Sequence, residues 1–524
     1  MEKHFNTAGP SKARLHYQID PLSRVDLAAL LSLMRQERYF ILHAPRQTGK
    51  TTCLLALRDY LNHGSEYAAL YVNIEAAQAA RGNVALGVAT ITDAIFHAAS
   101  VTFSASLIGA EREEVAKSGS NGVFAILKLL AERSDRPLVL FLDEVDALVG
   151  DTLISLLRQI RAGYTDRPKY FPQAMILCGV RDVRDYRMTM PDGEVITGGS
   201  AFNIKAESLR LGDFSRAELI ALYQQHTDAT GQLFTGEAIE LAWQSTMGQP
   251  WLVNALAEQA VWKTKENLDR KITIDLERLR AAREALILRN DTHLDQLTDK
   301  LREPRVRRVI EPMLMGAPIH GDESDVQYVL DLGLVQRRLP GKALAPANQI
   351  YAEVLPRVLS NVMQYNMHEE RILSSWQDAN GRINPRQFLL NFQAFWLKDG
   401  EVMMQSAPYH EAAPHLVLMA YLQRVINGGG RIEREYAAGS GRLDLLLVFG
   451  DQQMAIEVKV WNDKQADPLS DGLEQMERYL QRLELPEGFL VIFDRRTQAP
   501  EWATRMRTEA AQTASGKSVL VLRG

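Results

Sequence analysis

Two neighbouring apolar, β-type runs near the C-terminus carry three charged residues, Asp444, Glu457 and Lys459. Side chains along a strand alternate between its two faces, so Glu457 and Lys459 are predicted to share one face. The residues Gly450 to Gln453 predict a hairpin turn whose loop sets Asp444 directly opposite Lys459. Asp444 and Glu457 then become diagonal neighbours, with Cα atoms roughly 7 to 8 Å apart.

Two carboxylates so placed in an apolar sheet repel each other and resist the loss of water. A hard divalent cation bound between them relieves both costs, which favours a metal site with Lys459 beside it. A cross-strand ion pair between Asp444 and Lys459, with Glu457 facing solvent, accounts for the same spacing. The spacing alone leaves both interpretations open.

The pattern D(x)12ExK, with a helix before the hairpin and a strand after it, resembles the PD-(D/E)xK nuclease superfamily over residues 408–521. The resemblance implies Mg²⁺-dependent hydrolysis of phosphodiester bonds, with the ion held by Asp444, Glu457 and, in the preceding helix, Glu411. Lys459 would orient or help to deprotonate the attacking water, or neutralise the phosphate. The proline of the family pattern is absent, because leucine precedes the aspartate.

The residues after the hairpin also fit this resemblance. The stretch 472–496 is similar to the helix and strand that follow the charged strand in the superfamily. Gln475 and Tyr479 would lie on one face of that helix, because they are four residues apart.

The residues Ala44 to Thr51, APRQTGKT, differ from the phosphate-binding loop GxxxxGK[ST] only at the first position. A strand is predicted before this loop and a helix after it, as the motif requires. Backbone N–H groups and the helix N-terminus would hold the phosphates of ATP, and Lys50 would reach the outer ones. The Thr51 hydroxyl would bind Mg²⁺, and Gly49 would let the backbone come close to the phosphates. Thr52 is also predicted to contact the nucleotide.

Two acids, Asp143 and Glu144, end the buried run LVLFLDEVDAL. Asp143 is predicted to hold Mg²⁺, and Glu144 to polarise the water that attacks the γ-phosphate. The presence of this base favours hydrolysis of ATP as well as binding. The alternative is that both acids are solvated helix caps.

The order of the elements over residues 5–261 resembles the AAA+ and STAND group of ATPases. An apolar strand ends at Arg181, where these ATPases place a residue that senses the γ-phosphate. A helix opened by the capping box Ser215 to Glu218 precedes two helices joined at Gly248-Gln249-Pro250. The resemblance implies that Arg181 and Pro250 contact the nucleotide. No distinct arginine finger is recognised, so hydrolysis by a single chain and hydrolysis only in an oligomer both stay open.

From Arg302 onward the sequence predicts two helices and then a β-hairpin, which is a winged-helix pattern. Such a module either contacts DNA through a basic patch or serves as a rigid arm on the nucleotide-binding domain. The arginines that would form the patch are Arg302, Arg305, Arg307, Arg308, Arg337 and Arg338.

The 524-residue chain is 46% hydrophobic and 24% charged, which is typical of a folded protein with several domains. No apolar run approaches the ~18 to 20 residues of a membrane helix, and no signal peptide is recognised, so a cytoplasmic location without a membrane partner is expected. The formal charge of −5 argues against an overall basic coat for nucleic acid. Cys53 and Cys178 lack the spacing of a zinc site and are expected to fill core space.

Together these features predict an α/β multidomain chain with a P-loop ATPase core, a helical lid, a winged helix and a C-terminal α/β restriction-endonuclease-like domain. The expected function is that of an ATP-regulated, Mg²⁺-dependent nuclease that acts on nucleic acid, with DNA favoured, and forms an ATP-dependent homo-oligomer. A role in bacterial defence or in mobile elements is implied by analogy alone. The alternative is a nucleotide-switched nucleic-acid-binding protein that does not cut. The expected boundaries are 1–210 for the ATPase core, 211–285 for the lid, 286–360 for the winged helix, 361–400 for a helical connector and 401–524 for the nuclease.

Overall fold

The computed structural model divides the chain into two compact units. The first comprises Met1–Arg289 with Gln327–Val335, and the second comprises Asn290–Val326 with Gln336–Gly524. The described residues are 2–103, 109–148, 150–181, 187–189, 195–197, 204–289, 299–315, 319, 322–337, 344–365, 382–406, 418, 421–422, 430–436, 443–449, 451–463 and 465–524.

A parallel sheet forms the centre of the first unit. Its strands are β1 Tyr39–His43, β2 Ala68–Asn73, β3 Leu138–Asp143, β4 Ala174–Gly179 and β7 Lys205–Arg210, and a separate antiparallel pair is formed by β5 Arg187–Thr189 and β6 Val195–Thr197. The order in the sheet is β2-β3-β4-β1-β7. The residues of β3 and β4 are all buried, as expected for parallel strands covered on both faces. The prediction of an α/β architecture is confirmed.

Helices cover both faces of this sheet. The helices α1 Leu27–Arg35 and α2 Lys50–His63 pack on one face, and α3 Val84–Phe103, α5 Gly122–Arg133 and α6 Asp151–Ala162 pack on the other, with α4 Gly109–Lys117 beside α5. Cys53 and Cys178 are buried in the first of these cores and form no disulfide, so the prediction that they fill core space is confirmed.

The helix α3 corrects one expectation. It is 20 residues long and, among the described residues, is the single helix apolar enough by composition to cross a membrane. Its residues Ile91, Ile95 and Phe96 pack against the sheet with the strand residues of the same core. We therefore assign it as a core helix of the first unit.

The lid is the helical part of the first unit that follows β7. Its helices are α7 Arg216–Thr230, α8 Gly236–Thr246, α9 Pro250–Glu258 and α10 Leu276–Leu288. The capping box is present at the start of α7, where the Ser215 side chain accepts from the Glu218 backbone and the Glu218 side chain accepts from the Ser215 backbone. The residues that join α8 to α9 are Met247 to Gln249, one residue earlier than the predicted Gly248-Gln249-Pro250, because Pro250 is the first residue of α9.

Two helices and a short hairpin follow the lid. They are α11 Pro304–Met315, α12 Glu323–Asp331, β8 Val335–Arg337 and β9 Leu344–Pro346, and a long helix, α13 Gln349–Tyr365, comes next. The order of these elements is the one that the winged-helix pattern predicts. The C-terminal part of α12, from Gln327, belongs to the first unit.

A six-stranded mixed sheet forms the C-terminal part of the second unit. Its strands are β10 Gly430–Tyr436, β11 Leu443–Phe449, β12 Gln452–Trp461, β13 Glu487–Asp494, β14 Arg507–Gln512 and β15 Ser518–Arg523, in the order β10-β11-β12-β13-β15-β14. The helix α14 Pro385–Ser406 packs on one face through Phe388, Phe392 and Trp396. The helix α15 Leu469–Arg482 packs on the other face, and a short helix, α16 Trp502–Arg505, lies beside α14.

Candidate functional site

The phosphate loop lies between β1 and α2. Gly49 precedes α2 with φ +91°, a backbone conformation that favours glycine, whereas Ala44 has an ordinary negative φ. No side chain caps the first turn of α2, so its N–H groups are available to phosphate oxygens. The Lys50 ammonium donates to the carbonyl oxygens of Ala44 and Pro45, at 2.9 Å each. The lysine therefore lies along the loop that it is predicted to serve.

The two residues predicted to hold Mg²⁺ at this loop are in contact. The Thr51 hydroxyl donates to Asp143 Oδ2 at 2.7 Å, and Asp143 is fully buried. Tyr71, from the neighbouring strand β2, donates to the same oxygen at 2.8 Å. Burial and the nearby Asp143 carboxylate raise the pKa of Tyr71, so its hydroxyl keeps the proton that it donates. A hydroxyl and a carboxylate oxygen held together in this way fit a Mg²⁺ ion that accompanies ATP.

Glu144 follows Asp143 in a left-handed backbone conformation, with φ +61°. Burial raises the pKa of Glu144, and the carboxylates of Asp146 and Asp143 raise it further. Asp146 itself accepts a hydrogen bond from the backbone N–H of Val180 at 3.1 Å. A carboxyl with a raised pKa next to the phosphate loop is suited to accept a proton from water.

Arg181 lies beyond the end of β4, where its guanidinium stacks on the ring of Tyr328 at 4.7 Å. Tyr328 belongs to α12, in the segment Gln327–Val335 that is part of the first unit. In the same segment, a Cβ added to Gly333 would lie 2.6 Å from Cγ of Pro45 in the phosphate loop. The segment therefore contacts both the phosphate loop and the residue predicted to sense the γ-phosphate.

Pro250 is the first residue of α9, in the lid, where it is buried. The turn before it is packed tightly, because a Cβ added to Gly248 would lie 1.9 Å from the carbonyl oxygen of Phe214. Thr52, which is also predicted to contact the nucleotide, accepts a hydrogen bond at its hydroxyl from the backbone N–H of Ser11 at 3.0 Å. Contact of Pro250 and Thr52 with a nucleotide stays a prediction.

Glu457 and Lys459 of β12 form a buried ion pair in the second unit. The Lys459 ammonium donates to Glu457 Oε1 and to the side-chain oxygen of Gln475 in α15. Only 1% of Glu457 and 4% of Lys459 is exposed. Among the residues that the structure describes, the second carboxylate oxygen of Glu457, Oε2, is buried without a hydrogen-bond partner. An unpaired buried carboxylate oxygen is costly, and a bound cation would remove that cost.

The register of the hairpin differs from the prediction. Phe449 pairs with Gln452, which leaves only Gly450 and Asp451 between them in the sequence, and Leu446 consequently pairs with Ala455. Continued by one residue, this register places Asp444 opposite Glu457 and not opposite Lys459. Glycine and aspartate suit a two-residue turn, whereas Gln452 joins the strand and its side chain pairs with the backbone of Ile383.

The observed pairing differs from the predicted pairing by two residues. Because side chains alternate between the faces with a period of two, this difference leaves position 444 on the predicted face of the sheet. The side chain of Asp444 and the whole of Glu411 lie outside the described residues, and their roles as metal ligands stay predictions. The alternative in which Glu457 faces solvent is wrong, because this side chain is buried. Within the described part of the chain, no three His, Cys, Asp or Glu residues form a cluster that could hold a metal ion.

Three arginines of the predicted basic patch, Arg305, Arg307 and Arg308, contact other groups of the second unit. Arg305 and Arg308 pair with the same carboxylate, Asp325, at 3.4 and 2.8 Å. Arg307 donates to a backbone carbonyl oxygen at 2.6 Å, and Arg338 lies outside the described residues. Both the rigid-arm interpretation and contact with DNA stay predictions.

No protein-family model and no curated protein matches the chain. Among solved structures, the Walker-type ATPase of Pyrococcus abyssi is 14% identical, with a TM-score of 0.46, and the match covers 67% of this chain and 99% of that one. Cdc6p from Pyrobaculum aerophilum is 14% identical with a TM-score of 0.35, over 66% of this chain and 94% of that one. The RuvB Holliday junction branch migration motor of Thermotoga maritima is 14% identical with a TM-score of 0.32, over 61% and 89%.

These likenesses are too distant to carry a functional argument. The parallel sheet, the phosphate loop after β1 and the Thr51 to Asp143 contact are instead features of this chain itself. The first unit has the fold typical of a P-loop ATPase core.

Several residues of the site were not predicted from the sequence. Tyr71 reaches Asp143 because β2 pairs with β3, and the sheet order is not visible in a local motif. Asp146 follows Asp143 and Glu144 closely in the sequence, and this spacing could have indicated that it lies near the site. Tyr328 lies far along the chain, and no pattern connects it with Arg181.

Proposed function

We propose that this chain is an ATPase whose nucleotide state controls a metal-dependent nuclease centre in its C-terminal sheet, with DNA as the substrate. The observation that carries the nuclease part is the buried Oε2 of Glu457 beside Lys459, which has no hydrogen-bond partner within the described part of the chain. The ATPase part is supported by the contact between Thr51 and Asp143 next to the phosphate loop.

At the ATPase site, the backbone of the phosphate loop and Lys50 would bind and orient the phosphates of ATP. Mg²⁺ bound with ATP would neutralise charge that develops on the phosphates, and Thr51 and Asp143 are the residues that would hold it. Glu144 would take the proton of the attacking water, because its raised pKa brings its basicity closer to that required at neutral pH. Tyr71 fixes the orientation of the Asp143 carboxylate.

At the nuclease centre, Glu457 together with Asp444 and Glu411 would hold Mg²⁺, which lowers the pKa of bound water and stabilises charge on the scissile phosphate. Lys459 would neutralise the phosphate or orient the water, and Gln475 holds the lysine in place through its side-chain oxygen. Gln475 would therefore be a fourth, uncharged residue of the centre beside Asp444, Glu457 and Lys459.

A chain of this kind would work in the cytoplasm, assemble with ATP as a homo-oligomer, and serve in defence or in mobile elements by analogy with STAND proteins.

A second function is favoured by one observation. Lys459 and Glu457 form a buried ion pair, which is also what a fold that binds nucleic acid without cutting it could keep for structure alone. Incubation of the full-length protein with plasmid and with single-stranded DNA, with Mg²⁺ and with or without ATP, separates the two. Metal-dependent nicks are expected from a nuclease, and tight ATP-sensitive binding without nicks would contradict the nuclease proposal.

The nucleotide control would act through the segment Gln327–Val335. The stacking of Tyr328 on Arg181 holds that guanidinium against the segment, whereas bound ATP would draw it toward the γ-phosphate. The two partners then compete, and ATP binding weakens the contact between the segment and the phosphate loop. A ligand can shift such an equilibrium only by its difference in affinity for the two arrangements.

Tyr328→Ala is expected to tighten ATP binding about two- to thirtyfold, because a cation–π contact on a buried ring contributes about 0.5–2 kcal/mol. Titration with a fluorescent ATP analogue measures the change. Gly333→Ala should act in the same direction, since its Cβ would collide with Pro45. Tyr328→Phe is the matched control, because it keeps the ring. Equal affinity of the alanine variant and the wild type would rule out this competition.

A further inference from the structure

Arg24 joins two backbone segments that lie far apart in the sequence. It ends a short 3-10 turn, Pro21–Arg24, before α1. One guanidinium nitrogen donates to the carbonyl oxygen of Thr48 in the phosphate loop, and the other donates to the carbonyl oxygen of Gly212 after β7, at 2.6 Å each. Two short hydrogen bonds from one planar cation fix the distance between these two segments.

The phosphate loop is shaped around this arginine. A Cβ added to Gly49 would lie 2.8 Å from the Arg24 nitrogen that binds Thr48, so the guanidinium occupies the space beside the glycine. Arg24 is half-buried, and this burial lowers the pKa of its guanidinium, which stays charged.

The same guanidinium also reaches the entrance of the lid. It stacks over the ring of Phe214 at 4.7 Å, two residues after the carbonyl that it binds. The Phe214 backbone N–H donates to the carbonyl oxygen of Gly248 at 2.8 Å, and the Gly248 Cα lies tightly against the Phe214 carbonyl. Thr48, Arg24, Phe214 and Gly248 therefore form a continuous line of contacts from the phosphate loop to the turn that starts α9.

We propose that Arg24 is a positioning residue that couples occupation of the phosphate loop to the position of the lid turn at Gly248. This inference rests on the proposed ATPase function of the same site. When phosphates bind the N–H groups of the loop, any movement of the Thr48 carbonyl moves Arg24, and with it Phe214 and the lid turn. Without the guanidinium, the loop and the lid respond to nucleotide independently.

The test compares the wild type with Arg24→Met and Arg24→Lys in the full-length chain. ATP affinity and steady-state ATPase rates are measured together with hydrogen exchange of the peptide that covers Phe214 and the peptide that covers Gly248. In the wild type, ATP is expected to slow exchange at both peptides. Arg24→Met is expected to bind ATP about tenfold more weakly and to lose this ATP-dependent protection, even at saturating ATP. Arg24→Lys keeps one contact and should restore part of the affinity, with a larger effect on KM than on kcat.

Arg35→Met is the matched control, because Arg35 is the last residue of α1 and forms an exposed ion pair with Glu66. Phe214→Leu is a second variant, which keeps both hydrogen bonds of Arg24 and removes the ring contact. It should bind ATP like the wild type but show weaker ATP-dependent protection at Gly248, and it decides the outcome if Arg24→Met does not fold. Full protection by ATP in both Arg24→Met and Phe214→Leu would overturn the inference. Failure of the wild type to bind ATP would instead remove the proposed ATPase function.

Discussion

Replacing both Glu457 and Lys459 with methionine will abolish Mg²⁺-dependent cleavage of DNA without lowering the stability of the C-terminal sheet. The pair is almost fully buried, and a buried ion pair exchanged for apolar side chains of similar volume is often neutral or stabilising. Cleavage needs the two charges, because one would hold the metal ion and the other would neutralise the phosphate. We expect at least about a 10²- to 10³-fold loss of rate, the usual effect of removing a charge-stabilising group.

The single variant Lys459→Ala will also lose cleavage, but it leaves the Glu457 carboxylate buried without its partner. That loss costs about 3–5 kcal/mol of unfolding free energy, so the double variant is the cleaner test. Urea unfolding and plasmid nicking measure the two effects separately. Lys517→Met is the matched control, because Lys517 donates to the backbone carbonyls of Leu480 in α15 and of Leu485 after it, and lies outside the proposed centre. An active double variant would refute the role of this pair in catalysis.

Glu144→Gln will bind ATP like the wild type but hydrolyse it about 10²- to 10⁴-fold more slowly, because a general base contributes a factor of this size. Glutamine keeps the size of the side chain and cannot accept the proton of water. Measurement of phosphate release and of ATP affinity shows the two effects. Glu66→Gln, at an exposed surface ion pair, is the control. If Asp146→Asn lowers the rate in this way and Glu144→Gln does not, the base is Asp146.

The pH dependence of ATP hydrolysis follows from the same residue. A base must be deprotonated to act, and the pKa of Glu144 is raised above that of an ordinary glutamate by burial and by Asp146 and Asp143. The rate is therefore expected to fall as the pH is lowered through this raised pKa, at a higher pH than the ~4.3 of a free glutamate. A rate that falls only near the pKa of an ordinary glutamate would show that Glu144 is not the base.

Local motifs predicted the ATPase part of the fold well. The phosphate loop, the acids at the end of β3 and the capping box each depend on residues close together in the sequence, and they lie where the sequence predicts. The turn before α9 lies one residue earlier than predicted. The contacts of Arg24 were not predictable, because it binds backbone carbonyls, and backbone carbonyls leave no pattern in the sequence. Tyr71 depends on sheet order in the same way.

The C-terminal hairpin shows a different limit. Alternation along β12 predicted correctly that Glu457 and Lys459 share a face, and Gln475 was expected on the helix that now covers them. The register was predicted two positions away, because loops at Gly450-Asp451 and one residue later both satisfy the alternation of apolar residues. In the observed register the side chain of Gln452 pairs with the backbone of Ile383, a contact that no local pattern predicts because Ile383 lies in a distant part of the sequence.

The most direct measurement is anomalous scattering from crystals of the full-length chain grown with Mn²⁺ and a non-hydrolysable ATP analogue. We predict one peak beside Thr51 and Asp143 and a second about 2 to 2.5 Å from Oε2 of Glu457. The first peak serves as an internal control for metal loading. A peak at the ATPase site with none at Glu457 would contradict the proposed nuclease centre.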